Sequence, residues 1–258
     1  MSEYFIFHGI DHKVGTTMVA LSVAEALAER LPEKKVLFLA LNGRESAEYV
    51  RAGAESVDAL KSRLESRLLG EEELIAHCFC AKNLYALGGI ANEEDERYYM
   101  PEAASFLLDV AGRAFDFVVA DGGNRLDNGL AFGALLYDAN RFLVLTQQET
   151  ALARWEKRKA LYERLCVMPK AYVLNNYVEK DIYPADYVAR RFEEERERFH
   201  CVRFVQGGRR AEIERKTLWA SAADGFADDI AALAGALTGE TADAFAARKR
   251  RRRWKSFI

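Results

Sequence analysis

Apolar and polar positions along this chain fall into blocks of two kinds. Short, nearly continuous apolar runs lie at 4–8, 35–41, 83–87, 116–121, 141–146, 171–175 and 201–205. They are rich in Val, Ile, Leu, Phe and Tyr, as strands buried on both faces tend to be. Longer stretches with apolar residues three and four apart separate them, at 17–31, 56–68, 71–77, 101–113, 127–137, 150–165, 185–198 and 221–237. That spacing predicts helices. The alternation predicts an α/β fold: a single doubly wound, mostly parallel sheet of about seven strands with helices on both faces. Pro32, Pro169 and Pro184 fall between elements, and Pro101 suits a first helical turn. No internal repeat or low-complexity linker divides the chain. Residues 1–238 are therefore expected to form one domain, with 239–258 as an appended tail.

The first strand-to-helix junction carries the chemistry. Tyr4-Phe5-Ile6-Phe7-His8 reads as a strand and Met18 to Leu27 as a helix. Between them stands Gly9-Ile10-Asp11-His12-Lys13-Val14-Gly15-Thr16-Thr17. Strand, Gly-containing turn and helix start together aim backbone N–H groups at phosphates. A Walker A loop ends Gly-Lys-Ser/Thr, and its lysine reaches the β- and γ-phosphates. This loop ends Gly15-Thr16-Thr17, which predicts a site that holds nucleotide better than it hydrolyses it. Lys13 lies two residues before Gly15, and its ammonium is a flexible point charge that needs no fixed fork geometry. It is either a phosphate contact or a solvated loop lysine.

The order of these pieces resembles the ParA/MinD branch of P-loop ATPases, the deviant-Walker-A group of the SIMIBI-like P-loop NTPases, over roughly residues 3–237. The Gly-x-Thr-Thr ending is similar to the degenerate TadZ/CpaE-like subgroup, which acts in positioning Flp pilus assembly machinery. The family loop reads Gly-Lys-Gly-Gly-Val-Gly-Lys-Thr-Thr. Against it Asp11 replaces the signature lysine that crosses the dimer, Thr16 replaces the ordinary Walker lysine, and Thr17 keeps the hydroxyl that would hold magnesium. The family's Val-Leu-Leu-Val-Asp-x-Asp becomes Val36-Leu37-Phe38-Leu39-Ala40-Leu41-Asn42. Ala40 cannot orient water or move a proton. The missing lysine removes a charge that would neutralise the transferring phosphoryl group.

Other segments keep more of the family pattern. Asp116 to Asn124 resembles the Walker B and switch II segment, with Asp121 before Gly122-Gly123. A carboxylate there suits magnesium, and the alternative is an Asp that ends a strand in a turn. Ala171-Tyr172-Val173-Leu174-Asn175 resembles the segment whose asparagine amide recognises adenine. Gln206-Gly207-Gly208-Arg209-Arg210 corresponds to a stretch whose family proline and acid are absent. The helix after Leu143 to Thr150, with Arg154, Trp155, Lys157, Arg158 and Lys159, resembles a partner-facing helix. An exposed Trp155 would suit an interface, an inward one the core.

The resemblance implies ATP or ADP with magnesium. Gly9, His12, Lys13, Val14, Gly15, Thr16, Thr17, Met18 and Asn175 would surround the nucleotide, and Thr17 and Asp121 would stand at the metal. Lys13 and Asp121 are the catalytic candidates of at most a weak ATPase. A homodimer, a protein partner and a localisation or scaffold role in pilus or secretion assembly follow. A slow genuine ATPase that uses Lys13 and a nucleotide-independent interaction protein are the alternatives.

Composition adds two points. Half of the 258 residues are hydrophobic and 30% are charged, an ordinary globular balance. No apolar stretch approaches the roughly 20 residues that span a bilayer. Met-Ser-Glu leads straight into the first strand, so no signal peptide is expected. Cys78-Phe79-Cys80 lacks the spacing of a Cys-x-x-Cys pair, and with Cys166 and Cys201 it fits a reduced, cytoplasmic setting. The net charge of −3 conceals an asymmetry, because residues 248–258 carry seven positive side chains and the remainder is near −10. Trp254, Phe257 and Ile258 share one side of a helical turn, with Phe245 upstream. Three readings stay open for residues 245–258. One is peripheral binding at an anionic inner membrane face, at about 1 kcal/mol per Lys or Arg. The others are a solubilising or protein-contacting tail, and nucleic-acid binding, which the acidic body disfavours.

Overall fold

A computed structural model describes residues 2–51, 53–91 and 99–239. The expectations for Phe245, Trp254, Phe257 and Ile258 lie outside the described residues. The strands are β1 (Glu3–Gly9), β2 (Val36–Ala40), β3 (Glu55–Ser56), β4 (Phe79–Ala81), β5 (Leu84–Gly88), β6 (Phe117–Asp121), β7 (Asn140–Leu145), β8 (Ala171–Tyr177) and β9 (Phe199–Arg203). They form one sheet in the order β3-β5-β2-β6-β1-β7-β8-β9, with β4 paired antiparallel to β5 and every other pair parallel.

The helices are α1 (Thr16–Arg30), α2 (Glu48–Arg51), α3 (Lys61–Glu65), α4 (Glu71–Cys78), α5 (Pro101–Ala114), α6 (Gly129–Leu136), α7 (Glu149–Arg164), α8 (Ala185–Phe192), α9 (Gly208–Glu214) and α10 (Phe226–Thr238). Alternate strand residues feed two cores. Phe5, Phe7, Phe38 and Val119 join residues of α1, α7, α8 and α10 in one. Ile6, Leu37, Leu39 and Val118 join residues of α3 to α6 in the other. The period of two along each strand thus places helices on both faces.

Two short strands raise the count above seven. β3 has two residues and β4 three, too few for an apolar run to register. The helix expected over 56–68 is broken. Ser56 closes β3, its hydroxyl accepts the Asp58 N–H at 3.2 Å, and a single 3₁₀ turn over Val57–Leu60 precedes α3. The helix expected over 185–198 stops at Phe192, where Glu193 turns left-handed at φ 58°. Trp155 is 0% exposed and packs among Tyr162, Tyr172 and Phe192, so of its two readings the inward, core one holds.

The segment between α9 and α10 is tied to the back of α1. Thr217 donates to the Glu25 carboxylate, and the Leu218 N–H reaches the Met18 sulfur at 3.3 Å. Burial pushes the Glu25 carboxyl from 4.5 up to about 7, against the hydrogen bond from Thr217 and with help from the Glu29 charge. The native state therefore holds this proton more tightly than the unfolded chain. Its contribution to stability is full below pH 4.5 and is lost as pH rises through about 7. Glu25→Gln is expected to raise the urea midpoint at pH 8 and to leave it nearly unchanged at pH 4. Equal shifts at the two pH values would refute the burial argument.

Candidate functional site

The chain leaves β1 at a point where its two neighbours lead in opposite directions along the sheet, the crevice at which ligands bind in open α/β sheets. The Gly9 N–H bonds the Gly123 carbonyl at 2.7 Å and the Ile10 N–H bonds the Val144 carbonyl at 2.9 Å, so both neighbours fix the start of the loop. The loop ends at Gly15, whose left-handed φ of 86° starts α1. A Cβ there would lie 2.2 Å from the Asn175 side-chain nitrogen, so glycine is required by both conformation and space. No acidic side chain occupies the first turn of α1. A helix start leaves its first N–H groups without intrahelical acceptors and favours an anion.

A cavity of about 350 Å³ opens over this turn. Asp121, at the end of β6 and 1% exposed, lies at its base. The Thr17 hydroxyl donates to Asp121 at 2.5 Å, the Asn42 amide at 2.9 Å, and the Gly123 N–H at 3.0 Å. Burial raises the Asp121 carboxyl above its ordinary range, outweighing these three donors. The β2–β6 register sets Ala40 beside Asp121. Asn42, two residues on, supplies a neutral amide that donates to the same carboxylate. Among the described residues no group of three or more His, Cys, Asp or Glu could hold a metal alone. The Thr17–Asp121 pair fits magnesium that arrives on a phosphate, because magnesium takes few protein ligands and completes its shell with phosphate and water.

The sequence-predicted residues divide between the wall and its support. His12, Lys13, Val14, Gly15, Thr16 and Thr17 line the cavity with Asp121. Lys13 is held at φ 60°. Gly9 lies beneath Thr16, where a Cβ would meet the Thr16 hydroxyl at 2.5 Å. The Met18 sulfur faces Leu218 at the back of α1. Asn175 is buried and donates to the Val14 carbonyl at 2.8 Å, so its amide braces the loop from behind. Asp11 pairs with Arg154 of α7 in the same chain.

Arg44, Glu45, Tyr49 and Glu212 also line the cavity and escaped the sequence reading. The turn-forming pair Asn42-Gly43 after β2 was the one signal near the first three. Glu212 reaches the site because α9 lies against α2, where its carboxylate accepts the Glu48 N–H at 3.0 Å. Burial pushes the Tyr49 phenol up, and the Asp121 and Glu212 charges push the same way. Among the described residues no helix is long and apolar enough to cross a membrane.

No protein-family model matches the chain, and a search of curated proteins finds no match. Solved structures do resemble it. A ParA family ATPase from Chlorobium tepidum TLS superposes with a TM-score of 0.77 at 15% identity, covering 90% of this chain and 97% of that one. The septum site-determining protein MinD complexed with Mg-ADP, from Pyrococcus horikoshii OT3, gives 0.70 at 18% identity over 92% and 96%. A chain of the MinC:MinD cell division protein complex of Aquifex aeolicus gives 0.69 at 13% over 93% and 97%. The fold is that of the ParA/MinD ATPases; at such identities the likeness is one of fold.

Proposed function

We propose that this chain is a nucleotide-binding positioning protein of the ParA/MinD type. It holds ATP or ADP with magnesium, turns it over slowly or not at all, and works as a localisation or scaffold factor. The observation that carries this is the Thr17–Asp121 hydrogen bond beneath the left-handed Gly15 turn. It joins the start of α1 to the end of β6 and turns a hydroxyl, a carboxylate and a helix start toward one cavity. Ala40 beside Asp121 supplies no base or water-orienting acid, and Thr16 supplies no charge, which argues against fast hydrolysis. The likeness in fold to a MinD structure with Mg-ADP supports the ligand class, and the likeness to a MinC:MinD complex supports a protein partner. The finer assignment, to pilus or secretion assembly as in TadZ/CpaE-like proteins, rests on the Gly15-Thr16-Thr17 ending.

Isothermal titration of the full chain with Mg-ATP and Mg-ADP is expected to show binding of both, with phosphate release close to the uncatalysed rate. No heat and no thermal shift at millimolar nucleotide would remove the nucleotide function and leave an interaction protein. One observation favours a slow ATPase as second reading: Lys13 lines the cavity, and among the described residues its side chain makes no ion pair. Measurable turnover that disappears in Lys13→Ala would select it.

A further inference from the structure

A phosphate site needs positive charge beyond its backbone amides, and this loop has threonine where the lysine should stand. The charges on the cavity wall are Asp11, Glu45, Asp121 and Glu212 against Lys13 and Arg44. Every acid is engaged. Asp11 pairs with Arg154, Glu45 pairs with Arg51 at 2.9 Å, Glu212 accepts the Glu48 N–H, and Asp121 accepts from three donors. Among the described residues neither cation has an ion pair or a side-chain hydrogen bond. Arg44 is the more telling of the two. It is half-buried, whereas Arg51 nearby holds two carboxylates and Arg191 on α8 also holds two. A guanidinium that has lost part of its hydration and gained no partner awaits an anion.

The backbone that presents Arg44 is specifically built. The Asn42 side chain accepts the Arg44 N–H at 3.0 Å while its amide donates to Asp121 at 2.9 Å. One asparagine thus fixes both the arginine backbone and the carboxylate. Gly43 turns left-handed at φ 67°, and a Cβ there would lie 1.8 Å from the Asn128 amide nitrogen. On the other side Gly89 lets the Arg44 carbonyl approach, since a Cβ at Gly89 would stand 2.0 Å from that oxygen.

We propose that Arg44 is the phosphate-binding cation of this site, taking over from the segment after β2 the charge that the loop lost at Thr16. Its ligand is the polyphosphate of a nucleoside di- or triphosphate, an anion that a planar guanidinium grips with two parallel N–H donors. The assignment rests on the nucleotide-binding function proposed above. It also makes binding report on the second strand: the Arg44 segment runs directly into α2, which carries the contacts of Glu48 with Glu212 and Arg215.

The test is calorimetric titration of the full chain with Mg-ATP and Mg-ADP, alongside Arg44→Gln, Arg44→Met, Arg44→Lys and Lys13→Ala. Both neutral Arg44 variants are expected to bind Mg-ATP about ten- to a hundredfold more weakly, as loss of a charged hydrogen-bonding partner implies. Arg44→Lys should recover part of this, and Lys13→Ala should lose less than Arg44→Gln. A purely structural role would instead lower the melting temperature without nucleotide and weaken AMP as much as ATP. Arg44→Met keeps the apolar stem and so stands in if Arg44→Gln folds poorly. Wild-type binding with both neutral variants within twofold of it overturns the assignment alone. No binding of either nucleotide by the wild type overturns the assignment together with the nucleotide function.

Discussion

Trp155→Ala is expected to lower the stability of the protein by about 3–5 kcal/mol, the usual cost of emptying a buried tryptophan site. Trp155 is 0% exposed and sits where three elements meet. Its ring is edge-on to Tyr162 of α7 at 5.2 Å and to Tyr172 of β8 at 5.9 Å, and tilted to Phe192 of α8 at 6.0 Å. The neighbours cannot close the gap easily. Phe199 stacks on Tyr172 at 4.6 Å, and Arg191 clamps α8 to α7 through Glu149 and Glu156. Among the described residues the indole N–H has no hydrogen-bond partner. Trp155→Phe therefore forfeits volume but no hydrogen bond, and should cost less than half as much as the alanine variant. Urea unfolding followed by circular dichroism would read both as lower midpoints at constant m-value. A Trp155→Ala loss below about 1 kcal/mol, within the range of surface substitutions, would place the side chain outside the core.

Trp155 also shows what could be read in advance. Ala151, Leu152, Trp155 and Tyr162 are the buried residues of α7, an apolar stripe visible in the letters. The charged neighbours Arg154, Lys157 and Arg158 kept an interface open beside the inward reading. The central strands were legible because β1, β2 and β6 are buried on both faces and spell unbroken apolar runs. β3 and the four-residue α2 were not, since so few residues carry no period. α9 buries only Ala211, which leaves no stripe to detect. The loop residues could be named because one local turn holds them all. Arg44 and Glu212 could not, since the parallel pairing of β2 with β6 and the docking of α9 on α2 bring them to the cavity from distant parts of the chain. Nor could any pattern show that the Asn175 amide is spent on the Val14 carbonyl.

Asp121→Ala is expected to destabilise the protein by about 2–4 kcal/mol and to abolish the magnesium dependence of nucleotide binding. The substitution strands the Thr17 hydroxyl, the Asn42 amide and the Gly123 N–H together. All three are part-buried beside the cavity, so each loses less than the roughly 1–3 kcal/mol of a fully buried donor left without an acceptor, and the total is reduced further by relief from burying a carboxylate. Asp121→Asn keeps the shape and one acceptor oxygen, so it should cost roughly half as much. Its pH dependence tests which force governs the carboxyl. Burial holds Asp121 above its ordinary 3.8, so the native state binds the proton more tightly than the unfolded chain. The resulting stabilisation is full below pH 3.8 and is lost as pH rises through the raised native value. Asp121→Asn has no such loss, and its deficit against the wild type should therefore narrow as pH rises above 3.8 in urea titrations. If the deficit widened instead, the three donors would outweigh burial and the carboxylate would be ionised throughout. The site would then hold a permanent negative charge at its base, and magnesium would be needed before any phosphate could approach Thr17.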